Sequence, residues 1–199
     1  MLQYLRDAIT TGKTENVARS LLGHYLCRKI DDNLLKGMIV ETEAYLSKND
    51  QACHASRGKT RRNETMFDEA GKAYIYFIYG NYYCFNVVTG PIGQGEAVLV
   101  RAVQPLEGLE LMRERRGYPD LDRDLTNGPG KLCQAFAIDR SLDGHMLWQD
   151  PLYLEENSSI NEKYQVKATP RIGISVATEK KLRYIISGSN YLSRRESLE

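Results

Sequence analysis

The stretch AYIYFIYGNYYCFNVV, from Ala73 to Val88, carries five tyrosines within ten positions, with Gly80 and Asn81 in their midst. Before this pair the pattern has period two, so Tyr74 and Tyr76 share one face of a strand while Ile75 and Phe77 share the other. After it, YYCFNVV reads as a returning strand. A hairpin is thus the first fixed point of the fold, and Gly80 supplies the turn-compatible backbone. Tyr79 falls at or beside the tip, where a bulky ring has no core to enter. Tyrosine is a good strand former, and any single ring here is accounted for by a half-buried sheet. Five together, with one at the turn, point further, to an aromatic edge able to wedge between base pairs.

Elsewhere, strand-like segments follow one another: His24 to Ile30, then KGMIVETEAYL, GEAVLVRAV, DPLYLEE, RIGISVA and LRYIISGS. Helical stretches are fewer. Thr14 is placed to cap a helix whose Val17, Ala18, Leu21 and Leu22 form one apolar stripe, with Gly23 ending it. PLEGLELMRERRG and GKLCQAFAI are the other two. Strands that do not alternate regularly with helices predict an α+β domain: a mostly antiparallel, curved sheet with flanking helices and a protruding β-hairpin. The 199 residues contain no repeat or linker and are read as a single domain, 1–199. The GKT at Gly12 to Thr14 lacks the earlier glycine and the leading strand of a nucleotide-binding loop.

No apolar run approaches the length that spans a bilayer, and the first residues lack the pattern of a signal peptide. An intracellular protein with no membrane partner is expected. Cys27, Cys53, Cys84 and Cys133 are scattered singly, which predicts reduced thiols and neither a zinc site nor a disulfide framework. No metal and no cofactor are expected. With a net charge of +1, any phosphate-binding surface has to come from local clustering.

The chemistry starts at VETEAY. On a strand, Glu41, Glu43 and Tyr45 lie on one face and Val40, Thr42, Ala44 and Leu46 on the other. Two carboxylates beside a phenol then share a surface; taken alone, such a face is solvated more often than it is acid-base machinery. Next comes His54 in CHASRGKTRRN, where Arg57, Lys59, Arg61 and Arg62 cluster four positive charges. Such a loop is an ordinary charged surface by itself; beside an aromatic hairpin it also suits phosphates.

VETEAYL, DQACHASRGKTRRNETMF, AYIYFIYGNYYCFNVV, AVLVRAVQPLEGLELMR, LTNGPGKLCQAFAI and TPRIGISVA, in that order, resemble the 3-methyladenine DNA glycosylase family of the alkyladenine type. The resemblance covers nearly the whole chain. It implies an enzyme that turns a damaged purine nucleotide out of double-stranded DNA and hydrolyses the bond joining base to deoxyribose. Glu43 then resembles the general base, Arg101 in LVRAV the arginine that helps hold the attacking water, and the backbone around Ile172 the third contact. Glu41 is the rival carboxylate, and the resemblance favours Glu43.

Tyr45, His54 and Tyr76 resemble the walls of the base pocket, and Asn86 the asparagine that crowds the amino group of guanine. Tyr79 resembles the residue that fills the gap left by the extruded nucleotide. Asn81 stands where animal members have methionine. Thr60 and Arg62 match positions near DNA phosphates, in a loop one residue shorter than in the animal enzymes. In LTNGPGKL, Gly130 and Lys131 open a helix whose free amides suit a phosphate oxygen. The resemblance further implies a monomer working without strand cleavage, in the bacterial cytoplasm at the nucleoid or in a eukaryotic nucleus. Two other readings use the same residues. A catalytically silent nucleic-acid-binding domain needs the tyrosines but not Glu43 with Arg101, and a small-molecule nucleoside hydrolase needs neither Tyr79 nor the basic loop.

Overall fold

The computed structural model describes residues 3–78, 80–159 and 164–194. Its elements in chain order are α1 (Gln3–Thr11), α2 (Thr14–Ser20), β1 (Tyr25–Ile30), β2 (Asn33–Tyr45), β3 (Ala73–Ile78), β4 (Tyr82–Thr89) and β5 (Glu96–Glu107). α3 (Leu109–Arg115), α4 (Pro129–Ala135), β6 (Leu152–Glu155), β7 (Val166–Thr169) and β8 (Arg183–Ile186) follow. The main sheet runs β3-β4-β5-β2-β1-β6, with β8 branching from β2 and β7 pairing with β8, and the strand pairs are antiparallel. This is the expected α+β class. No helix among the described residues is long and apolar enough to cross a membrane.

β2 is the spine. β5 follows one of its edges, while the other is divided: β1 pairs with its first half and β8 with Glu41, Thr42 and Glu43. Register shifts against β5 fall at Lys36/Gly37, Ile39/Glu41 and Glu41/Thr42. Each shift bends and twists the strand locally, which curls the sheet and lets two partners share one edge. Leu5 and Ile9, one turn apart on α1, and Val17 and Ala18 on α2 are buried in the core. The Thr42 hydroxyl donates to the Ala18 carbonyl at 2.7 Å, which fixes α2 to the spine. Leu132, Cys133 and Ala135 are the buried side of α4, which lies against β4 and β5.

The hairpin forms as its alternation predicts, with Tyr74 opposite Asn86 and Tyr76 opposite Cys84. Its far end leaves the core, where Phe77 is 40% and Tyr82 43% exposed. Tyr79, expected at the tip, lies outside the described residues. The four cysteines are buried and unpaired.

Several expectations are corrected. Thr14 does not cap α2: Lys13 holds that position, and the Thr14 hydroxyl, itself buried, bonds instead to Thr89 and Glu96 on the strands. RIGISVA is not a strand. Gly173 at φ 78° and Ala177 at φ 51° break the extended path, and the Ile172 amide turns to a side chain instead of a neighbouring strand. The segment from Pro105 begins as strand, not helix, because β5 continues to Glu107 and turns at Gly108, φ 76°. A Cβ at Gly108 would meet Leu35 Cδ2 at 2.3 Å, so glycine is required both for the turn and for the fit. α1 and β7 are additional to the sequence reading.

Gly37 is the tightest point of the spine, where an added Cβ would meet Val103 Cγ2 at 2.6 Å and Phe136 Cζ at 3.2 Å. Gly37→Ala is expected to destabilise the protein by about 1–3 kcal/mol, seen as a lower urea midpoint at unchanged slope. Adding Val103→Ala should recover part of that loss, giving a favourable coupling in the double-mutant cycle.

Candidate active site

The alternation of β2 sends Glu41, Glu43 and Tyr45 to one side, and both carboxylates are fully buried. Arg101, reaching across from β5, bridges them: Nε donates to Glu41 Oε1 at 3.1 Å and Nη1 to Glu43 Oε2 at 3.3 Å. The second edge of β2 completes the neutralisation. Arg183 of β8 donates through Nε to Glu41 Oε1 at 2.7 Å, and Ser193 adds its amide at 2.6 Å and its hydroxyl at 2.7 Å. Glu41 is thereby saturated with structural partners.

Glu43 has different company. The Ile172 amide donates to its Oε1 at 2.8 Å and the Tyr45 hydroxyl to its Oε2 at 2.8 Å. The Ile172 carbonyl is 3.5 Å from Arg101 Nη1. Carboxylate, guanidinium and a backbone carbonyl thus converge on one point, in surroundings that exclude bulk water and strengthen electrostatic interactions. Burial, followed by the charge of Glu43 and its hydrogen bond, pushes the Tyr45 phenol well above its ordinary range, so it remains a donor to the carboxylate.

Two cavities meet here. The inner one, about 370 Å³, is walled by Tyr45, His54, Tyr74, Tyr76 and Asn86, and the outer one, about 420 Å³, by Arg101, Ile172, Tyr82, Cys84 and Lys131. Tyr45, Tyr76, Ile78 and Gly173 border both, so two rings stand between them. Glu43 lines neither, but Tyr45, Arg101 and Ile172, all bonded to it, do. The ring of His54 packs edge-on to Tyr76 with centroids 4.5 Å apart, and its Nδ1 lies 3.0 Å from the Tyr74 hydroxyl. His54 is exposed as a residue, but partial loss of solvent on its packed side, followed by the nearby Arg62 charge, lowers its pKa from 6.5 and favours a neutral imidazole. Asn86 donates through Nδ2 to the Tyr74 carbonyl at 2.9 Å, which fixes its amide plane at the cavity wall. Burial pushes the Cys53 thiol in the same cavity up to about 12, so it stays protonated.

Of the residues expected to grip the DNA backbone, Gly130 and Lys131 line the outer cavity, while Thr60, Arg62 and Asn81 line neither. Thr60 is exposed, its amide and hydroxyl bonded to Asn63 Oδ1. Arg62 donates to the Phe77 carbonyl at 2.9 Å and so ties the basic loop to the hairpin. Asn81 is exposed at the turn. Gly130 faces Tyr82, where a Cβ would come within 2.9 Å of the ring, and Lys131 donates to Asn127 Oδ1 at 2.8 Å.

Family comparison matches residues 8–190 to the methylpurine-DNA glycosylase family. The chain belongs to this family. A relative from Carboxydothermus hydrogenoformans is 45% identical over 193 residues, covering 96% of each chain. One from Prosthecochloris aestuarii is 46% identical over 199 residues, covering 100% of this chain and 94% of its own. One from Francisella tularensis is 42% identical over 191 residues, covering 95% and 98%. Each is named "putative 3-methyladenine DNA glycosylase".

Around the shared framework of this methylpurine-DNA glycosylase family member, sequence reasoning passed over Asp50, Asn63, Arg171 and Arg183. Asn63 Nδ2 donates to the His54 and Gly58 carbonyls at 3.0 and 3.1 Å and so shapes the basic loop. Arg171 pairs with Asp50 through two nitrogens, both side chains being fully buried. Only adjacency to Ile172 marked Arg171, and nothing local marked Asp50. Tyr74 was readable as the ring beside Tyr76 on the same strand face.

Glu41→Ala would leave Arg101 and Arg183 buried without their carboxylate and is expected to destabilise the fold by about 3–5 kcal/mol in urea unfolding. Asp50 is an acid-sensitive point. Burial opposes its charge, but the Arg171 hydrogen bonds outweigh it, with help from the Leu46 amide, and hold the pKa below its ordinary 3.8. A depressed folded value means stability that is present above 3.8 and lost as pH falls through the folded pKa. From about pH 5 to about pH 3, wild type should therefore lose more stability than Asp50→Asn, compared by urea midpoints.

Proposed function

We propose that this protein is a DNA repair glycosylase that receives an alkylated or deaminated purine, 3-methyladenine among them, flipped from duplex DNA, and hydrolyses its N-glycosidic bond. Membership in a family of DNA glycosylases supports the class of reaction. The observation that carries the mechanism is the convergence of Glu43, Arg101 and the Ile172 backbone beside the outer cavity, which shares Tyr45, Tyr76, Ile78 and Gly173 with the inner one.

In this reading the base enters the inner cavity between Tyr45 on one side and His54 with Tyr76 on the other. A cavity of about 370 Å³ with aromatic walls fits a purine, and stacking on π faces holds it without regard to sequence. Asn86 faces the base edge, where its fixed amide disfavours a guanine amino group. As the glycosidic bond breaks, the sugar acquires oxocarbenium character. Glu43 takes a proton from water aimed at the anomeric carbon, and its negative charge stabilises the cation, while Arg101 and the Ile172 carbonyl orient that water.

The outer cavity then faces the sugar and flanking phosphates, with Lys131 and the first turn of α4 as anion partners. Arg62 and Thr60 face the backbone from the basic loop, and Asn81 meets the duplex at the hairpin turn. Tyr79 fills the vacated stack. The product is an abasic site, the strand stays intact, and the protein acts as a monomer.

The test is single-turnover base release from duplexes carrying 3-methyladenine analogues, 7-methylguanine, hypoxanthine or ethenoadenine. Glu43→Gln should bind these duplexes as wild type does while its release rate falls by about 100-fold or more. Borohydride should trap no protein–DNA adduct. Equal release by the variant and wild type removes Glu43 from the mechanism.

A further inference from the structure

Behind the wall of the inner cavity lies a charge that the proposed mechanism leaves unused. The Arg171 side chain has no exposed surface and lines neither cavity, yet its Cζ lies 4.7 Å from the centroid of the Tyr45 ring, which lines both. The guanidinium therefore sits over the ring on a side that neither cavity reaches. Its placement is tightly determined. Nη1 donates to Asp50 Oδ2 at 2.7 Å and to the Ala44 carbonyl at 3.0 Å, and Nη2 donates to Asp50 Oδ1 at 2.5 Å. Nε has no hydrogen-bond partner among the described residues.

Tyrosine attracts cations through the negative potential of its ring faces. A cation already seated on one face diminishes that attraction at the other. On the reading that this cavity receives a flipped purine, we propose that Arg171 is a specificity-determining positioning residue. By placing positive charge behind Tyr45 it weakens the stacking of cationic purines, such as those alkylated at N3 or N7, relative to neutral ones such as hypoxanthine. Asp50 sets the size of the effect, because its carboxylate partly neutralises the guanidinium it holds. Glu43, accepting from the Tyr45 hydroxyl, acts in the opposite sense and is unchanged in the variants that test the idea.

The experiment compares single-turnover release of 7-methylguanine and hypoxanthine from matched duplexes by wild type, Asp50→Asn, and the double variant Arg171→Gln with Asp50→Asn. The double variant replaces an ion pair by two neutral amides, with a shorter side chain at position 171. Its 7-methylguanine-to-hypoxanthine rate ratio should rise roughly threefold or more over wild type. In Asp50→Asn, where the guanidinium loses its counter-charge, the ratio should fall. A role confined to structure lowers both rates together and leaves the ratio where it was, and that result overturns the proposal. Should the double variant fail to fold, Asp50→Asn decides: an unchanged or rising ratio is fatal. Wild type that releases neither base overturns the glycosylase reading itself, which is a different failure.

Discussion

Glu41 and Glu43 stand two residues apart on one face of β2, both without solvent, and the curled sheet around them is arranged to balance two buried negative charges. A buried carboxylate is tolerated when opposite charge and hydrogen-bond donors replace the water it has lost. Arg101 does this for both at once from β5, and Arg183 does it for Glu41 from β8. β8 can deliver that arginine only because the bulges in β2 allow β1 and β8 to divide a single edge. Strand topology and charge compensation are therefore one constraint. The two carboxylates then diverge through their remaining partners. Glu41 takes Ser193 and is closed off, whereas Glu43 takes a phenol and a loop amide that border open space.

The loop at residues 170–174 has irregular backbone for the same reason. Its amide at Ile172, a group a strand would spend on a ladder, is spent on the Glu43 carboxylate, and the side chain of its neighbour Arg171 satisfies Asp50. Asp50 in turn accepts the Leu46 amide and so fixes the chain leaving β2 toward His54. One buried ion pair thus joins the wall of the inner cavity to the loop that bonds Glu43. Breaking it would leave an uncompensated charge, a penalty that holds the two parts in register.

Much of this was legible in the sequence, and the reasons are local. Period-two alternation placed Tyr74 with Tyr76 and Glu41 with Glu43 and Tyr45, because the strand pleat alone determines which side chains share a face. Gly80 marked the hairpin turn for the same kind of reason. What alternation does not contain is long-range choice. That Thr14 pairs with Thr89 and Glu96 instead of capping its helix depends on strands more than seventy residues away. RIGISVA has the composition of a strand, yet its Ile172 amide goes to Glu43, and Gly173 and Ala177 take positive φ, so it forms a loop. Asp50 and Arg171, 121 positions apart, carry no pattern that could have joined them.

The surface and the interior of the groove are also mechanically continuous. β3 presents Tyr74, Tyr76 and Ile78 to the cavities and Phe77 to the opposite side, so the wall of the inner cavity and the exposed end of the hairpin belong to one short strand. Arg62 ties the basic loop to that strand at the Phe77 carbonyl, and Tyr82 packs so closely on Gly130 that a Cβ at this position would meet its ring. On the proposed reading, a nucleotide turned out of DNA at the hairpin would meet rings whose distance from Glu43 is already set by the sheet. A rigid frame of this kind makes the geometry of attack a property of the fold, leaving to DNA binding only the work of opening the duplex.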